Sequence, residues 1–472
     1  MLLNVIWLVS DTFRRDHLGC YGNEWIRTPA LDAFAAKSVR FKRHYAGSFP
    51  TMPNRADFFT GRLSGVFMRW EPLARELTLL PNILRRNYIH TAAVVDTPFF
   101  LRNNMNYDQG FRTFIEIEGQ DYWSQGLGDD TRADWRHEAD RYAPRTITRA
   151  SQWLEKHHQE KFFLYIDMWD PHEPWNAPPY YTKLYMKDYD GEIVNPTYSY
   201  WQDVRDMSED AVHKAHACYC GEITMVDTWM GHFLRLVENM GLMNNTAIIF
   251  TSDHGFYFGE HGGLFGKQMS LKSKKIPYKF RSIHKWIRSP LWEETISCPL
   301  IIRIPKTDPG VQEGLTSAID LMPTVLDLMS IEIPTIVEGH SLVPMIKDKN
   351  LKGREFVIST QPISNAGTIM RSVDGLQRES AGSDTTITTN EWSLLYSIEP
   401  GQSWLYHLPS DPKQQKNVIN EHTTIAQDLH QKLVEFMKET NLTYELLEPR
   451  LVLRLDSTTE LPEPWKSRLE GH

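Results

Sequence analysis

Thr51 and Arg55 stand four residues apart in the stretch Ser48-Phe-Pro-Thr-Met-Pro-Asn-Arg-Ala-Asp-Phe-Phe-Thr-Gly-Arg62, which pairs a candidate nucleophile with a fixed cation. A hydroxyl near a helix N-terminus, with a guanidinium one turn further on, suits an anionic group. Phe49-Pro50 and Met52-Pro53 bias the residue before each proline toward extended backbone, so the spacing predicts irregular entry and a helix starting near Asn54. Taken alone, the stretch reads equally well as a polar loop capping a surface helix. Five other residues decide for chemistry. Asp253 and His254, followed by Gly255, end a buried apolar run and offer a carboxylate and an imidazole as adjacent metal ligands. Asp11 ends the first apolar run and is a third ligand candidate. His172 lies between prolines in Asp167-Met-Trp-Asp-Pro-His-Glu-Pro-Trp175, after another strand-like run. Lys267 closes the glycine-rich Gly259-Glu-His-Gly-Gly-Leu-Phe-Gly-Lys267, a loop able to carry it over a site.

The elements that must position these residues read as an α/β protein. Asn4 to Val9, Ala92 to Val95, Phe162 to Ile166 and Thr246 to Ser252 are short, mainly apolar runs, as expected of parallel strands covered on both faces. Ligands bind at the carboxyl edge of such sheets, which is where Asp11, His172, Asp253 and His254 fall. Thr28 and Pro29 open a helix, Val39 to Tyr45 alternates like a strand, and Ala211 to Asn239 carries an apolar face closed by Gly241. Cys298 to Pro305 reads as a further strand and Ser317 to Met329 as a helix. Beyond about Phe356 the texture becomes polar and alternating, as in a smaller antiparallel sheet, followed by an amphipathic helix from Thr424 to Lys438. The expected organisation is a catalytic α/β domain over 1–355 and a smaller C-terminal domain over 356–472.

Composition narrows the classes. A chain of 472 residues with 41% hydrophobic and 24% charged residues has ample core material and is not disordered. A net charge of -9 supplies no general field for nucleic acid, so an anion site must be local. One local cationic segment exists: Gln268 to Pro290 holds seven Lys or Arg and no acid, and Lys274, Lys275 and Arg281 in it suit an anion-attracting lid. Cys20, Cys218, Cys220 and Cys298 form no zinc spacing, and the middle two fall in a helix, which favours packing. No secretory leader or apolar run of about 18 residues is evident, giving a cytoplasmic expectation without membrane contact. Asn244-Asn-Thr246 and Asn441-Leu-Thr443 are then coincidental glycosylation patterns.

Together these residues resemble the sulfatase branch of the alkaline phosphatase superfamily. The landmarks are Ser10-Asp11, Gly19-Cys-Tyr-Gly22, Thr28-Pro-Ala-Leu-Asp32, the Thr51 turn ending in Thr60-Gly-Arg62, Thr251-Ser-Asp-His-Gly255, Gly259-Glu-His-Gly262, Cys298-Pro-Leu-Ile-Ile302 and Asp320-Leu-Met-Pro-Thr324. Leu405-Tyr-His-Leu-Pro-Ser-Asp-Pro412 resembles the family's C-terminal signature. The resemblance implies a large mixed sheet flanked by helices, a small C-terminal α+β domain, and hydrolysis of a small anionic sulfate or phosphate ester. It also implies one divalent metal, Ca²⁺, Mg²⁺, Mn²⁺ or Zn²⁺, on Asp11, Thr51, Asp253 and His254, a set closest to the phosphonate monoester hydrolase and phosphodiesterase members. The family's nucleophile turn is Cys/Ser-x-Pro-x-Arg, with formylglycine at its first position. Thr51-Met-Pro-Asn-Arg55 puts threonine there, so no formylglycine is expected and the hydroxyl itself is the candidate nucleophile. Arg55 and Lys267 are then expected to hold nonbridging oxygens and His172 to protonate the leaving group. A catalytically weak relative that binds such an ester is the alternative, and a homo-oligomer is compatible with either.

Overall fold

The computed structural model describes residues 3–118, 135–267, 269–271, 285–365, 367–372, 375–378, 382–440 and 442–455. The proposed lid residues Lys274, Lys275 and Arg281 lie outside them, as does Asn441 of the second glycosylation pattern.

The apolar runs assemble into one eight-stranded mixed sheet. Its strands are β1 (Asn4–Ser10), β2 (Val39–Tyr45), β3 (His90–Val95), β4 (Thr113–Glu116), β5 (Phe162–Met168), β6 (Thr246–Thr251), β7 (Ser297–Arg303) and β8 (Gly310–Ser317), in the order β8-β2-β7-β6-β1-β5-β3-β4. β1 lies between β5 and β6, parallel to both, whereas β7 runs antiparallel to its neighbours β6 and β2. Because the central strands are buried on both faces, their side chains divide by parity between two cores. Val5, Trp7 and Val9 pack under helix α2 (Thr51–Thr60) and helix α5 (Leu321–Leu328). Ile6 and Leu8 face the opposite core with helices α1 (Pro29–Ala35), α3 (Tyr142–His157) and α4 (Glu209–Asn239).

Two local readings change. Helix α2 starts at Thr51, not near Asn54, and the Asn54 N–H already donates to the Pro50 carbonyl at 3.2 Å. Pro53 is therefore the third helical residue, where the N–H it lacks would have had no intrahelical acceptor. Thr28 precedes α1, but its hydroxyl accepts from the Gly19 N–H at 3.0 Å and does not cap the helix.

The polar C-terminal stretch forms a four-stranded antiparallel sheet of β9 (Val357–Thr360), β10 (Thr385–Thr388), β11 (Trp392–Tyr396) and β12 (Trp404–His407). Helix α6 (Thr423–Glu439) packs Ala426, Leu429, Leu433 and Met437 with Ile387 and Leu394 of this sheet. No helix among the described residues is long and apolar enough to cross a membrane.

Candidate active site

The parallel strands deliver the chemistry to one edge. Asp11 follows β1, Asp253 and His254 follow β6, and His172 lies in the loop after β5. Helix α2 points its first turn into the same place, which brings Thr51 and Arg55 to residues 203 and 198 positions away in sequence. The turn before α2 is fixed by Asp57, whose buried carboxylate accepts from the Ser48 N–H and hydroxyl at 2.5 and 2.8 Å and from the Ser64 N–H at 2.6 Å. Burial pushes the Asp57 carboxyl up to about 7 in spite of those donors.

Thr51 is buried, with Oγ1 3.2 Å from His254 Nε2. His254 Nδ1–H donates to the Gly255 carbonyl at 3.0 Å, so the ring presents its Nε2 lone pair to Thr51. Burial lowers the His254 imidazole to about 4, against the opposing pull of Asp253. Gly255 is required by close approach: a Cβ there would meet the Glu294 carbonyl oxygen at 1.9 Å. The Asn54 side-chain amide donates to the Asp253 carbonyl and ties α2 to the β6 loop.

Arg55 is completely buried and works as a hub. Its Nε and Nη2 donate to Asp167 Oδ2 and Oδ1 at 2.8 and 2.7 Å, and Nη1 donates to Asp253 Oδ2 at 2.6 Å. Nη1 also lies 3.1 Å from Asp11 Oδ2 and donates to the Thr51 carbonyl at 3.2 Å. Burial raises the Asp11 carboxyl, reinforced by the negative charge of Asp253. At Asp253 burial acts the same way, but His254 and Arg55 outweigh it and hold the carboxyl well below its usual range.

Lys267 and His172 meet opposite this group. The Lys267 ammonium donates to His172 Nε2 at 2.5 Å, while His172 Nδ1 faces the Glu173 carbonyl at 2.7 Å. Trp169 stacks on the imidazole with ring centroids 3.7 Å apart. Burial and the Lys267 charge together push His172 well below the usual imidazole range.

The residues fit a hard divalent cation. Ligand atoms of Asp11, Asp253 and His254 lie within 4.8 Å of one another, and neither buried oxygen of Asp11 accepts a hydrogen bond. Arg55 Nη1, the cation 3.1 Å from Asp11 Oδ2, is shared with Asp253 and the Thr51 carbonyl, so the two buried carboxylates are only partly offset, and a divalent cation would supply the rest. All of the sequence-derived candidates thus fall into two adjoining groups, Thr51, Arg55, Asp11, Asp253 and His254 in one and His172 with Lys267 in the other. Asp167 and Asn54 were missed as site residues. Asp167 had a signal, an acid inside the apolar run Phe162 to Met168, whereas nothing in the sequence marked Asn54 as a tie to the Asp253 loop.

The family model for sulfatases matches residues 3–331, which span the large sheet and every site residue. The chain belongs to the Sulfatase family. Relatives include the arylsulfatase of Clostridium perfringens, 25% identical over 88% of this chain and 90% of the relative. The N-acetylglucosamine-6-O-sulfatase of Bacteroides thetaiotaomicron is 22% identical over 94% of this chain and 87% of its own. Among solved structures, the phosphonate monoester hydrolase of Agrobacterium radiobacter superposes with a TM-score of 0.73 at 20% identity, covering 93% of this chain and 96% of that one. The sulfatase fold is thereby established, with a large mixed sheet flanked by helices and a small antiparallel sheet after it.

Proposed function

We propose that this chain is a divalent-metal-dependent hydrolase of sulfate or phosphate esters, with phosphate esters preferred and Thr51 as nucleophile. The observation that carries the reading is Thr51 Oγ1 at 3.2 Å from His254 Nε2, in the first turn of α2 and beside two buried acids. A cation held by Asp11, Asp253, His254 and Thr51 would lower the pKa of the Thr51 hydroxyl and offset the negative charge of the ester.

The chain's own groups do the rest. Arg55 is saturated by three acids and the Thr51 carbonyl, so its part is to position the ligand carboxylates and the nucleophile. With the Thr51 hydroxyl acidified, its proton leaves to solvent, Oγ attacks the phosphorus or sulfur, and the bond to the ester oxygen breaks. The proton held between Lys267 and His172 passes to the departing oxygen. Water then attacks the central atom of the Thr51 ester and restores the hydroxyl, releasing a phosphate monoester from a phosphodiester, a phosphonate from a phosphonate monoester or sulfate from a sulfate ester. Phosphothreonine is open to that attack at phosphorus, which is why phosphate esters are preferred.

A panel of an aryl phosphodiester, a phosphonate monoester and an aryl sulfate, each with Mn²⁺, Ca²⁺ or Zn²⁺, tests the proposal. Turnover is expected to be highest on the phosphorus esters and lost in Thr51→Ala. Equal rates from wild type and Thr51→Ala on every substrate would overturn it.

A further inference from the structure

We infer that His17, His216 and Cys220 form a second metal site, which holds a zinc-type cation between the loop after β1 and helix α4. None of the three takes part in the chemistry at Thr51, and the inference does not depend on that chemistry. His17 Nε2 and His216 Nε2 are 2.7 Å apart, and Cys220 Sγ is 3.7 Å from His216 Nε2. All three ligand atoms lie within 4.8 Å of one another. His216 and Cys220 are four residues apart on α4, so they share one helix face, and His17 comes from the short helix Arg15–His17.

The donor set and its surroundings meet the requirements of a built site. Two imidazoles and a thiolate suit a borderline-soft cation such as Zn²⁺, whereas the oxygen-rich set at Asp11 does not discriminate in that way. A tetrahedral centre with bonds of about 2.0 Å to nitrogen and 2.3 Å to sulfur sets N–N edges near ~3.3 Å and N–S edges near ~3.6 Å. The His216–Cys220 separation of 3.7 Å already matches, the His17–Cys220 one lies within 4.8 Å, and the imidazoles need to part by about 0.6 Å. Their rings meet edge to face at 87°, with the two Nε2 atoms side by side. Behind His17, Asp16 Oδ1 lies 2.8 Å from Nδ1, the carboxylate contact that leaves Nε2 free for a metal. The neighbouring guanidinium of Arg14 is itself engaged by Asp16 at 2.7 Å and Glu260 at 2.5 Å.

Access is available too. His17 and Cys220 are buried, but His216 is partly exposed, and Trp25, 51% exposed, stands edge-on to both imidazoles. A direct imidazole–imidazole hydrogen bond explains the His17–His216 distance alone. It does not explain why a thiol sits at ligand distance on the same face. Between the two histidines and the active site, the Tyr219 hydroxyl donates to the Thr12 carbonyl at 2.7 Å and accepts from the Arg14 N–H at 2.9 Å. A cation here therefore staples α4 to the segment that carries Asp11.

The test is cobalt substitution of the chelator-stripped full chain. Wild type is expected to bind Co²⁺ with a thiolate-to-cobalt charge-transfer band, which the active-site ligands cannot produce. The band should vanish in Cys220→Ser and in the partly exposed His216→Ala, each with one bound equivalent fewer than wild type, and persist in Asp253→Asn. The inference is overturned if wild type shows no band, if the band survives both Cys220→Ser and His216→Ala, or if Asp253→Asn abolishes it in a folded protein.

Discussion

Asp167→Asn should uncouple Arg55 from the sheet and disable the site without touching any proposed metal ligand. The native carboxylate serves four donors: Oδ1 accepts from Arg55 Nη2 at 2.7 Å and the Thr97 hydroxyl at 2.6 Å, and Oδ2 from Arg55 Nε at 2.8 Å and the Tyr165 hydroxyl at 2.5 Å. Asparagine replaces one of those oxygens with an NH₂ group. The hydroxyls can rotate away, but the guanidinium cannot, so one buried N–H of Arg55 loses its acceptor. Breaking a buried charged pair on one side costs about 3–5 kcal/mol, and here Asp11 and Asp253 remain to hold Arg55, which favours the lower end. Drawn toward those two acids, the guanidinium competes with the cation for them. The expected outcome is an earlier urea unfolding transition, weaker metal activation and a fall in kcat/KM of about 10²-fold, the scale set by a small displacement of reacting groups. Urea melts and a Mn²⁺ titration of turnover check it. A variant with wild-type stability and metal response would refute the view of Arg55 as a hub oriented from β5.

Three further outcomes follow. Lys267→Ala should slow hydrolysis by about 10²-fold or more for esters of poor leaving groups and far less for a nitrophenyl ester, because proton donation matters most when the departing oxygen is basic; a uniform loss across leaving groups would remove Lys267 from that role. Thr51→Ser should retain turnover while Thr51→Ala loses about 10³-fold or more, measured on whichever ester of the panel turns over best. Acid stability should show His44: it is buried, its Nδ1 lies 3.0 Å from the Thr316 hydroxyl, its Nε2 has no partner, and burial lowers it to about 4. The unfolded chain binds that proton from its ordinary value near ~6.5 downward, so between there and about 4 the unfolded state holds more protons. Unfolding free energy should then fall as pH drops through that window, and His44→Gln should flatten the slope in a pH series of urea melts; an unchanged slope would contradict the assignment.

The strands were legible because largely apolar runs such as Asn4–Ser10 and Thr246–Thr251 have one physical use in a protein of this size. The edge they share made Asp11, Asp253 and His254 legible as a group before any coordinates. The start of α2 was misread because proline restricts its predecessor locally, whereas the packing of Met52, Ala56 and Phe59 into the core under β1 is nonlocal and outweighs it. Asp167 was seen only as one of the acids around His172, because its partner Arg55 is 112 positions away. The same distance effect hid His17 from His216, 199 positions on, so that four cysteines without a zinc spacing looked inert.

Rapid quenching of the metal-loaded enzyme during turnover of an aryl phosphodiester, followed by peptide mapping, tests the nucleophile directly. A phosphoryl group on Thr51 in the wild-type map, one at the same position in the Thr51→Ser map and none there in the Thr51→Ala map is the predicted result. Undiminished turnover by Thr51→Ala, with no label on the wild-type peptide, would contradict it.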